Sequence, residues 1–90
     1  MFNIFRRRRP IITYDIAPSA DGWRVSVGDV LGPPYAQQAD AIKDTLFTAG
    51  QLRAAGERVR VRLLELDGPH RVWRALEPGD AASLRLAPVR

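Results

Sequence analysis

Four consecutive arginines, Arg6 to Arg9, are the densest charge in the 90-residue sequence. Guanidinium groups in such a run can follow a nucleic-acid backbone, and four neutralised phosphates correspond to a salt slope of about −3.6. Alternatively, with Phe2, Ile4 and Phe5 beside them, they can touch an anionic membrane surface. That apolar segment is too short for stable insertion, so no stable membrane anchor is expected. A solvated terminus is the third reading.

Residues suited to covalent or acid–base chemistry are sparse. His70 is the sole histidine, set in a turn beside Pro69, and no cysteine is present to act as nucleophile, thiolate ligand or disulfide partner. Ser19, Ser26 and Ser83 have no activating base near them in sequence. Asp15, Asp21 and Asp29 fall close together but straddle a predicted hairpin, without the glycine-centred register of a calcium loop. The stretch GDVLG, Gly28 to Gly32, lacks the lysine and hydroxyl of a phosphate-binding loop. No enzyme activity, cofactor, metal ion or small-molecule substrate is expected.

The elements that position these residues follow from hydrophobic period. Ile12, Tyr14 and Ile16 alternate with Thr13 and Asp15, the signature of a half-buried strand. Pro18 to Gly22 supplies a turn, and Trp23, Val25 and Val27 alternate with Arg24 and Ser26 in a second strand. Gly28 to Pro34 reads as a loop by its glycine and proline content. The period then changes: Ala39, Ile42, Leu46, Ala49 and Leu52 form one helical stripe, with Asp40 near the positive end and Gly56 as a stop. Gly50 inside that stretch invites a break or a close approach. Period two returns with Val59, Val61 and Leu63 against Arg58, Arg60 and Arg62; Asp67 to His70 is a turn, and RVWRAL is a fourth strand. The predicted fold is α+β: a ββαββ arrangement with one helix on one face of a small, mainly antiparallel sheet.

A further consequence of phase is a charged sheet face. If the valines face the helix, then Arg24, Arg58, Arg60 and Arg62 face away, and Arg74 joins them if Trp23 and Trp73 are core anchors. Like charges on paired strands repel, and an anionic partner relieves that cost. With Arg6, Arg7, Arg8 and Arg9, these residues are the candidate nucleic-acid contacts, since arginine forks onto phosphates and guanine edges. Leu64, Leu66, Val72 and Leu76 are read onto the same face. They are the candidate interface for a protein partner or a homodimer, unless Leu84 and Leu86 in the tail cover them.

The sequence Y-x-x-x-P-x-x-x-G-W-x-V is spelled by Tyr14, Pro18, Gly22-Trp23 and Val25. A helix from Ala39-Asp40-Ala41-Ile42 and a strand–Asp-Gly–strand ending follow it. This pattern resembles a small bacterial family of uncharacterised domains, from about Ile12 to Leu76. The resemblance implies the ββαββ arrangement and brings no activity or site residues with it.

Composition bounds the remainder. Of 14 basic side chains four lie in the opening run, so the other ten balance the 10 acidic ones and the body is neutral. Hydrophobic residues at 46% support one folded domain, divided here into a basic arm over 1–10, a domain over 11–76 and a tail over 77–90 whose Leu84 and Leu86 are candidates for a last short strand. With no bilayer-length apolar run and no leader pattern, a cytoplasmic protein is expected. Arginine in place of lysine, with Lys43 alone, suggests a GC-rich bacterial source. The expected role is a non-enzymatic binding or assembly module acting through the sheet face the helix leaves uncovered; the alternative is a nucleic-acid binder.

Overall fold

The computed structural model describes residues 10–78, so the arginine run Arg6–Arg9 and the tail with Leu84 and Leu86 lie outside the described residues. Five strands and one helix follow in chain order: β1 (Ile12–Ser19), β2 (Gly22–Val27), β3 (Val30–Tyr35), α1 (Gln38–Ala54), β4 (Val59–Asp67) and β5 (His70–Ala75). They form one five-stranded sheet in the order β3-β2-β1-β4-β5 with the helix laid on one face.

The α+β class and the helix-on-sheet arrangement agree with the sequence reading, but two details differ. First, the GDVLGPP segment is not a loop. Val27 pairs with Val30 across Gly28-Asp29, a two-residue hairpin turn, and β3 continues to Tyr35. Proline content misdirects the reading there, because Pro33 and Pro34 lie on a bulged edge strand, the place in a sheet where proline is tolerated. A bulge between Arg24 and Ser26 in the pairing absorbs one extra residue of β3. Second, the sheet is mixed. β1 and β4 run parallel, with Tyr14 opposite Val61 and Ile16 opposite Leu63. Direction along a sheet is not encoded in side-chain period, so alternation could not reveal it.

Phase itself is as the valines dictate. Ile16, Val61 and Leu63 are buried beneath Ala41, Ile42, Leu46 and Ala49 of α1, with Tyr14, Trp23, Val25, Tyr35 and Val59 packed around them. The buried stripe of the helix also includes Thr45, one turn on from Ala41, while Ala39 and Leu52 lie at its margins.

Local chemistry fixes the ends of these elements. Gly22 has φ +120°, and a Cβ there collides with the Tyr35 carbonyl, so the β1–β2 turn and the close approach of β3 both demand glycine. α1 ends in a Schellman arrangement: Gly56, at φ 95°, donates from its N–H to Arg53 O (2.9 Å), and Glu57 N–H donates to Leu52 O (2.9 Å). Its start is weaker, for Gln37 makes no side-chain cap, although Asp40 sits in the first turn. The helix runs unbroken through Gly50, where nothing lies near a would-be Cβ. No helix among the described residues is long and apolar enough to cross a membrane.

Candidate sheet-face interface

Register determines which side chains share the face opposite α1. Thr13 pairs with Arg60 and Asp15 with Arg62 across the parallel seam; Asp15 also pairs with Ser26, and Ser26 with Leu31. On the far side Leu64 pairs with Trp73 and Leu66 with Arg71. The face therefore holds Leu31 at the β3 edge, polar and charged groups in the middle, and Leu66, Arg71 and Trp73 toward the β5 edge.

Three of the candidate arginines lie here, and each is held by its own chain. Arg62 Nε and Nη2 donate to the two carboxylate oxygens of Asp15 at 2.7 and 2.9 Å, a two-pronged fork. The same guanidinium lies 4.7 Å from the centroid of the Trp73 ring. The Asp15 hydrogen bond raises the Arg62 pKa. Arg24 donates to the Gly32 carbonyl at the bulge (2.7 Å) and to Asp21 (3.0 Å). That bond, with the Ser19 hydroxyl donating at 2.9 Å, holds the Asp21 carboxyl below its usual range. Arg60 donates to the Thr13 hydroxyl at 3.1 Å. Arg58 lies just before β4, its carbonyl accepting the Ile12 N–H at 2.8 Å.

Three candidates are elsewhere. Arg74 pairs in register with Leu63, which puts it on the helix side, where it meets Glu65 at 3.1 Å. Val72, opposite Glu65, is on that side too. Leu76 is buried in the core rather than on the open face: it is 2% exposed, and its N–H donates to Val61 O at 2.9 Å. The common cause is the phase of β5. The sequence reading depends on Trp73 being a core anchor, yet Trp73 faces away from α1 and is 41% exposed, which reverses every neighbour. The tight Gly68-Pro69 turn holds the clue, since it makes Asp67 and His70 directly opposed and so fixes the register. Trp23, by contrast, packs on the core as expected.

Of the two remaining interface candidates, Leu64 faces away from the helix but is only 8% exposed, whereas Leu66 is 69% exposed. Leu31 and Arg71, which the sequence reading did not single out, complete the face. Arg71 was missed with the β5 phase and Leu31 with β3.

A second concavity lies on the other side of the sheet. A cleft of about 350 Å³ runs between α1 and β3, lined by Tyr14, Val27, Val30, Tyr35 and Phe47 among others. Burial, and after it the neighbouring Asp44 carboxylate, pushes the Tyr35 phenol's pKa up there. It arises because α1 packs mainly over β4 and β2. Once β3 is assigned as a loop, no sequence pattern reveals it.

His70 opens β5 at the surface, opposite Asp67. Among the described residues no three groups of the types that ligate metals come together. Comparison with protein-family models, curated proteins and solved structures finds no match.

Proposed function

We propose that this chain is a non-enzymatic binding or assembly module whose open sheet face docks another protein surface or a second copy of itself. The observation that carries this reading is how that face spends its charge. Arg62 is committed to Asp15 and Trp73, Arg24 to Asp21 and Gly32, while Leu31, Leu66 and Trp73 stay exposed. Arginines already forked onto their own chain give an anionic ligand little new to gain, whereas exposed apolar groups around a polar middle are what a protein interface covers. The motif from Tyr14 to Val25 supports kinship with the ββαββ family it resembles, and the arginine-rich composition supports a bacterial source.

The nucleic-acid alternative is tested alongside. Retention on unrelated DNA duplexes is measured at low and moderate salt for the full chain and for the Arg58→Gln/Arg60→Gln/Arg62→Gln variant. The protein-docking reading expects that variant to retain duplexes as the parent does. It also expects Leu66→Lys to abolish any salt-insensitive association. Retention that collapses with salt and disappears in the triple variant would overturn it in favour of nucleic acid.

A further inference from the structure

The two edges of the sheet are built differently. β3 carries Pro33, Pro34 and a bulge, devices that stop an edge from recruiting another strand. β5 (HRVWRA) has no proline, pairs regularly with β4, and is exposed at all six positions.

Its outward-facing backbone groups can be identified. Leu76 N–H bonds to Val61 O, and hydrogen-bonded positions alternate along an antiparallel pair. His70, Val72 and Arg74 therefore bond inward to β4, while the N–H and C=O groups of Arg71 and Trp73 point to the edge, where no other described strand lies.

We infer that β5 pairs antiparallel with β5 of a second copy, joining two five-stranded sheets into one of ten. This goes beyond the open-face reading, since it uses the edge and names the occupant. A twofold axis normal to the sheet keeps each face on its own side, so a residue meets a partner residue of the same phase. Centred on Val72, the pairing sets Arg71 opposite the partner's Trp73, twice over. Both residues carry the outward backbone groups, so each pair forms two hydrogen bonds, and each Arg71 guanidinium reaches an indole. Val72 meets its own copy at the axis. The pairing ends at Ala75, which faces the partner's Pro69, a residue without an N–H. Arg71, the charge that guards this edge in the monomer, becomes a contact in the pair, and Arg74 is already held by Glu65.

Sedimentation equilibrium of the full chain over rising concentration tests this. The mass should move from 10.1 kDa toward twice that value, independent of salt. Arg71→Pro deletes an outward donor without touching the β4 ladder and should weaken association at least tenfold. Arg71→Ala, which keeps the donor and loses the guanidinium, should weaken it less. Because a proline variant can misfold, amide exchange of the unaltered chain gives an independent readout: the Arg71 and Trp73 amides should become protected as concentration rises. A chain that stays at 10.1 kDa throughout overturns the proposal. So does a dimer whose Arg71 and Trp73 amides exchange freely. If such a dimer dissolves with Leu66→Lys, the open-face reading survives without the edge.

Discussion

Asp15 is the residue on which the open face turns. It is the acid opposite Arg62 on the parallel neighbour, and its two oxygens take both prongs of that guanidinium. Removing it by Asp15→Ala leaves a half-buried arginine without its counter-ion and should cost about 1 kcal/mol, read from the shift in the urea midpoint. Tyr35 makes the complementary argument with pH. Its pKa is raised in the fold, first by desolvation and then by Asp44, so the folded state keeps the phenolic proton longer than the unfolded chain does. That contribution is fully present below about pH 10, the ordinary tyrosine value, and is lost as pH rises through the higher folded pKa. The Tyr35→Phe variant should therefore lose less stability than the parent between neutral pH and strong alkali, as followed by thermal melts. Asp21, fully at the surface, works the opposite way: its lowered pKa contributes above the ordinary aspartate value and fades as acid is added through the folded one.

At the level of elements, the helix offers the sharpest contrast. Gly50 is exposed, mid-helix and helical in backbone, and nothing occupies the space a methyl group would fill. Gly50→Ala should raise stability by about 0.5–1 kcal/mol. Gly56→Ala places a side chain at φ 95° in the Schellman turn and should lower it by about 1 kcal/mol. The pair, measured by chemical denaturation, separates a glycine that the fold needs from one that it does not. Both were visible in the sequence as glycines; only backbone conformation tells them apart. Strands were legible wherever one face is wet, because alternation then carries the signal, as in Tyr14–Thr13 and Val61–Arg60. β3 was not, since Gly32, Pro33 and Pro34 break the alternation of an edge that hydrogen-bonds on one side only. β5 was legible as a strand and illegible in phase. Trp73 is large enough to suggest burial but is satisfied by a cation above its ring. That one inversion moved Arg74, Val72 and Leu76 off the face where the sequence reading had gathered them, while Arg24, Arg60 and Arg62 stayed.

For the whole molecule, the core is small and consequently brittle. Ile16, Ile42, Val61 and Leu63 are nearly solvent-free, and α1 is the only layer above them among the described residues. Ile42→Ala should cost about 2–4 kcal/mol, a large share of the stability a domain of this size can have. Its thermal transition should fall below that of every surface variant named above.

The parallel join between β1 and β4 has a meaning in time as well as in space. β1, β2 and β3 follow one another through tight turns, as do β4 and β5, so both groups can assemble from neighbours in the chain. Asp15 and Arg62, by contrast, meet across 47 positions of sequence, and their contact cannot form until the chain has doubled back through α1. The middle of the finished sheet should thus be the last part of it to close. Molecules caught just before closure expose two raw strand edges that match each other between chains as well as within one. Refolding at high concentration should accordingly yield exchanged pairs that dilution of the native protein never produces.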